Sequence, residues 1–226
     1  MSHSTTSPLP ASGPLRTIVI CALAAFFYLY EFLARVMPSA QAHELMQYFN
    51  ISAASLGLLS ALFFYGYIPL QIPAGMIFDR FGARRMLALM TLICALASAG
   101  FALSHSFLLA LGMRFLMGAA GAFAFTGAAF TAARWISARY FAMYTGLIQS
   151  LGCVGAILGQ APIAHLTLLY GFRNTNLYAA AIGVVFAILI YAFVRDQPEH
   201  NQEPSPKHTT RTTTKKIDKL QPKRLW

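Results

Sequence analysis

Apolar residues fall into six blocks, near 16–37, 54–77, 86–104, 107–129, 141–163 and 174–194, separated by short polar connections. A helix crosses the hydrocarbon core with about 20 apolar residues, so the pattern predicts an all-α membrane protein of six spans. Residues 16–196 form the transmembrane domain. Residues 1–15, rich in Ser, Thr and Pro, are expected to be a flexible arm, and residues 197–226, polar and basic without apolar periodicity, a disordered tail. Ala40-Gln41-Ala42 looks like a signal-peptidase site. The run before it, from Ile18 to Met37, is longer than a signal core of about 7–15 residues and carries Glu31 and Arg35. It is therefore expected to be a retained first helix.

The connections add detail. Pro38 is expected to end the first span, and residues 40–49 to form a short interfacial helix exposing Gln41, Glu44 and Gln47. Asn50 and Ser52 are capping residues for the second span. The Ser104-His105-Ser106 connection is short enough to make the third and fourth spans antiparallel neighbours. Pro69 and Pro73, flanking Gln71, predict a bend in the second span, because proline removes a backbone hydrogen bond.

Composition agrees with the pattern: 57% of residues are hydrophobic and 11% charged, against about a quarter charged in soluble chains. Arg16, Arg80, Arg84, Arg85, Arg134, Arg139 and Arg195 fall in connections on one side, Arg173 alone on the other. By the positive-inside rule both termini face the cytoplasm, as in a multi-pass protein of a bacterial-type inner membrane. The net charge of +10 is spread over these loops and the tail, so a nucleic-acid surface is not indicated. Cys21, Cys94 and Cys153 lie in apolar runs and read as buried packing residues. His43, His105 and His165 read as solvated loop residues. No metal-ligand spacing, cofactor motif or nucleophilic triad appears, so an enzyme is disfavoured.

Between the second and third spans stands Gly75-Met-Ile-Phe-Asp79-Arg80-Phe-Gly82-Ala-Arg84-Arg85. A glycine at a helix end permits close approach, an Asp can accept from a helix N-terminus, and arginines hold the loop at the membrane surface. The segment resembles the signature cytoplasmic loop of the major facilitator superfamily. Arg114-Phe-Leu-Met-Gly118-Ala-Ala-Gly121 in the fourth span is similar to that family's intramembrane arginine motif, with Met117 where a polar residue is frequent. The resemblance implies the amino-terminal half of such a transporter: six helices in two inverted three-helix repeats, and substrate bound between two halves. It also implies a gating role for Gly75, Asp79, Arg80, Gly82, Arg84 and Arg85.

Charges inside a membrane usually face a cavity or a partner. Glu31 and Arg35 share one face of the first helix. Glu31 lies about 9 Å, and Arg114 about 10 Å, from the same membrane edge at 1.5 Å per residue. A Glu31–Arg114 pair is therefore expected. The resemblance makes Glu31 the proton-coupling residue, the alternative being a static ion pair. Arg35 either snorkels to the interface or faces the cavity, where it resembles the first-helix arginine of organic-anion and phosphate-ester carriers. Tyr65, Tyr67, Gln71 and Gln149 are candidate cavity groups. Gly118 and Gly121, with Gly152, Gly155 and Gly159 of the fifth span, suit tight helix packing.

The expected function is secondary, proton-coupled transport of a small solute such as an organic anion, amino acid or peptide. The partners are the bilayer, protons, the solute, and a second half supplied by a homodimer or a separate chain. Two alternatives stand beside it. One is a non-transporting fragment of a disrupted transporter gene, and the other a membrane scaffold whose basic tail binds anionic lipid.

Overall fold

The structure, a computed structural model, describes residues 14–196. Most of the expected arm (1–15) and the whole expected tail (197–226) lie outside the described residues. Among the described residues seven helices follow one another: α1 (Pro14–Ala40), α2 (Ala42–Phe49), α3 (Ala53–Phe81), α4 (Ala83–Ala102), α5 (Phe107–Trp135), α6 (Ala138–Leu158) and α7 (Ala161–Phe193). The stretches long and apolar enough to cross a membrane are Leu15–Ala40, Ala53–Phe81, Ala83–Ala102, Phe107–Trp135 and the 56-residue run Ala138–Phe193.

The long helices pack as α1 on α6, α3 on α5 and α4 on α7, with α5 also against α1 and α4. Glycines set the first two pairings. A Cβ on Gly66 or Gly118 would overlap the backbone carbonyl of Phe115 or Phe63 respectively, so α3 and α5 approach backbone to backbone. A Cβ on Gly155 would overlap the Leu29 carbonyl, one on Gly159 would come within 2.8 Å of the Leu33 oxygen, and one on Gly152 within 2.7 Å of the Tyr28 ring. In lipid, where water no longer drives helices together, such contact supplies the dispersion that holds a bundle.

Several local expectations change. Pro38 does not end α1, which continues to Ala40. Asn50, in the left-handed conformation at φ 51°, closes α2, while Ser52 caps α3 by accepting from the Ser55 N–H at 3.3 Å. Gln41 is buried rather than exposed: its amide donates to Thr167 Oγ1 at 3.0 Å and accepts from Asn176 Nδ2 at 2.8 Å. Residues 164–170, expected in a loop, continue the first part of α7, which breaks at Gly171 (φ 77°). Pro162 in its first turn and the apolar run behind it favour this extra helix. Cys153 is exposed, unlike Cys21 and Cys94. His43, His105 and His165 are exposed, in keeping with their reading as solvated residues, with His43 bonding Gln47 at 3.0 Å and His105 the Arg173 guanidinium at 3.1 Å.

At the arginine-rich end, Gly82 (φ 81°) turns the chain from α3 into α4. Asp196 reaches back to accept from the Arg84 N–H at 2.8 Å, and Arg84 Nε donates to the Tyr191 carbonyl at 2.7 Å. Trp135 Nε1 donates to the Arg195 carbonyl at 3.1 Å. The carboxylate at the α4 N-terminus is thus Asp196, whereas Asp79 is exposed.

Candidate substrate-binding and coupling site

The charged cluster begins on one face of α1, where Tyr28, Glu31, Phe32 and Arg35 follow at helical spacing. Glu31 is fully buried, and its Cγ would lie 2.9 Å from a Cβ placed on Gly121 of α5. Arg35 Nη2 and Nε donate to the same carboxylate oxygen, Oε1, at 2.6 and 2.9 Å. Oε2 has no hydrogen-bond partner among the described residues. The Arg35 guanidinium lies over the rings of Phe32 (4.3 Å), Tyr67 (4.6 Å), Phe63 (5.5 Å) and Phe64 (5.6 Å). It therefore turns inward onto aromatic faces, which attract a cation.

Arg114 is equally buried but is not hydrogen-bonded to Glu31. Its Nη1 donates to the Ala34 carbonyl at 2.9 Å and its Nη2 to the Arg35 carbonyl at 3.1 Å, with the Phe63 ring 4.9 Å from its centre. The expected direct pair is replaced by two separate attachments to α1, although the Glu31 and Arg114 charges remain within electrostatic range. The reason is local: a carbonyl near Pro38 competes for Arg114, and Arg35, on the same helix as Glu31, reaches the carboxylate first.

Around the pair stand hydroxyls and amides. Gln71 Nε2 donates to Tyr67 Oη at 3.0 Å, and Tyr28 Oη donates to Gln149 Oε1 at 3.0 Å, joining α1 to α6. Gln71 and Gln149 are exposed, as is Tyr65, which takes no part in this cluster. Tyr28 was absent from the sequence-based candidates, although its place three residues before Glu31 carried the signal. In the loop motif, Arg80 stacks near Phe81 at 5.5 Å, Arg85 is exposed, and Gly75 faces open space.

One carboxylate and two guanidiniums give this cluster a local excess of positive charge. A bundle of helices long and apolar enough to cross a membrane, with charges buried inside it, defines a polytopic membrane protein. The chain belongs to the Major Facilitator Superfamily, whose profile matches residues 18–226. It is 25% identical over 183 residues to the probable sulfoacetate transporter SauU of Cupriavidus necator, covering 80% of this chain and 42% of that protein. A putative tartrate transporter of Agrobacterium vitis is 25% identical over 189 residues, covering 81% and 44%. The fold is similar to that of a bacterial homolog of the human lysosomal transporter Spinster in an inward-facing, unoccupied conformation, with TM-score 0.74, 20% identity, and coverage of 88% and 47%. The chain spans less than half the length of these proteins.

Proposed function

We propose that the chain is one six-helix half of a proton-coupled carrier for a small organic anion, with Arg35 as the anion's partner and Glu31 as the proton site. The observation that carries this reading is the ion pair between buried Glu31 and half-buried Arg35, with a second, buried guanidinium, Arg114, held on the same helix. Protonating Glu31 removes the only carboxylate of this cluster and releases Arg35, so a proton and an anion favour each other's binding. Relatives named for sulfoacetate and tartrate support an anionic cargo. From Tyr144 to Thr167 the chain meets α1 at successively later positions, Cys21 to Gln41, and from Asn176 to Gly183 it returns from Gln41 to Tyr30. It therefore reverses at the Gly171 break, and the long apolar run supplies a fifth and a sixth crossing. The pairings α1 on α6 and α3 on α5 then match as equivalents in two inverted three-helix repeats.

The arginine-rich end, and with it both termini, faces the cytoplasm of a bacterial-type inner membrane. A second six-helix unit, another copy or a separate half, closes the site, and Asp79 with Arg80 latches against it. The test is uptake of labelled tartrate and sulfoacetate into proteoliposomes, with and without an inward proton gradient, alongside native mass measurement of the assembly. Gradient-driven uptake that Glu31→Gln uncouples is the expected result. Gradient-driven uptake undiminished in Glu31→Gln rejects the coupling role, and no uptake of either anion rejects this cargo assignment.

A further inference from the structure

In an α-helix the carbonyl of residue 34 accepts from the N–H of residue 38. Pro38 has no N–H, and its ring crowds that carbonyl, yet α1 runs through it to Ala40. Ala34 is buried, so its carbonyl cannot turn to water. Arg114 Nη1 fills the gap at 2.9 Å, and Nη2 reaches the next carbonyl, that of Arg35, at 3.1 Å. The open carbonyl and the two terminal guanidinium nitrogens, each costly to bury alone, satisfy one another, while Arg114 Nε has no partner among the described residues.

We propose that Pro38 and Arg114 are a positioning pair: the proline keeps the Ala34 carbonyl open, the guanidinium occupies it, and this clamp fixes the backbone that carries Arg35. Holding Arg114 on carbonyls also keeps it from capturing the unpartnered Glu31 Oε2, which preserves Glu31 for Arg35. The clamp stands on its own hydrogen bonds; its consequence for an anion rests on the reading of Arg35 given above.

A double-mutant cycle tests it in the full chain, comparing wild type, Pro38→Ala, Arg114→Met and the double variant. Thermal unfolding in detergent is followed with a thiol-reactive dye at the buried Cys21 and Cys94, and tartrate affinity is measured by equilibrium binding. Arg114→Met orphans the Ala34 carbonyl, and adding Pro38→Ala then supplies the missing N–H. Pro38→Ala therefore raises the midpoint by roughly 5 °C more in the Arg114→Met background than in wild type. Should Arg114→Met alone fail to fold, the double variant regains a cooperative transition. An equal midpoint shift in both backgrounds, or a double variant no better folded than Arg114→Met, overturns the clamp. In the wild-type background, Pro38→Ala also weakens tartrate roughly tenfold, and Arg114→Lys, which keeps a single donor nitrogen in place of the two that reach Ala34 and Arg35, falls between wild type and Arg114→Met. Unchanged tartrate affinity in Pro38→Ala overturns the positioning role. A cycle that couples as expected in a protein with no tartrate affinity supports the clamp and rejects the anion reading alone.

Discussion

Gly118→Ala probes the joint on which the charged cluster rests. An ideal Cβ at this position overlaps the Phe63 carbonyl oxygen and lies 2.7 Å from its carbon and 3.0 Å from its Cα. These are backbone atoms of α3, so no rotamer change relieves the clash. For the carbonyl carbon alone to reach ordinary contact near 3.4 Å, α3 must retreat by about 0.7 Å, enough to forfeit about a quarter to a half of the dispersion of each contact it loosens. Overpacking of this kind costs about 1–3 kcal/mol, while the Gly-to-Ala change returns about 1 kcal/mol of helix propensity. Gly146→Ala isolates the steric part, because nothing lies within 4 Å of its Cβ and the propensity gain is the same. The midpoint of Gly118→Ala should therefore fall below that of Gly146→Ala by about 3–10 °C, read with the thiol dye in detergent. The displaced residue is Phe63, whose ring lies 4.9 Å from Arg114 and 5.5 Å from Arg35, so tartrate affinity should weaken in Gly118→Ala alone. Equal midpoints for the two variants would refute the close-approach reasoning.

Arg35→Lys keeps the charge but loses the planar group that meets Glu31 through two nitrogens and stacks on Phe32 and Tyr67; tartrate uptake should fall at least roughly tenfold while the protein still folds. Asp196→Ala removes the acceptor for the Arg84 N–H and should cost about 0.5–2 kcal/mol of stability, as for a lost N-cap, leaving tartrate affinity unchanged in equilibrium binding. Gln41→Leu strips the buried amide from Thr167 and Asn176. Its midpoint should drop as for about 1–3 kcal/mol, unless the outer network is dispensable, in which case the two midpoints coincide.

The all-helical apolar architecture and the family were legible because both rest on local signals: apolar blocks of membrane length, and a loop with Asp79, Gly82 and three arginines at fixed spacing. Gly82 adopts φ 81°, which explains its presence at that turn. Less legible was which groups meet across helices. Depth along the membrane placed Glu31 and Arg114 at one level, but depth does not report the azimuth of a side chain or the competition of a nearer acceptor. Arg35, four residues from Glu31, needed no tertiary contact to reach it. Gln41 was misread because a polar residue in a connection is assumed to be solvated, whereas Thr167 and Asn176, more than 120 residues away, enclose it. Asp196, at the edge of the apolar pattern, carried no signal of its own as a cap for α4.

Burying three charges in one bundle is costly unless each is held, and the way they are held is uneven. Arg35 shares a single carboxylate oxygen and aromatic faces, Arg114 relies on backbone carbonyls and the same Phe63, and the second oxygen of Glu31 is left over. An arrangement serving stability alone would close the fork with both carboxylate oxygens on one guanidinium. Leaving Oε2 unmatched keeps the Glu31–Arg35 bond weaker than the site could make it. Under the proposed function, a bond of that kind is the one exchanged for a proton on one side and an anion on the other, and the Arg114 attachment, which involves neither carboxylate oxygen, is the one left in place.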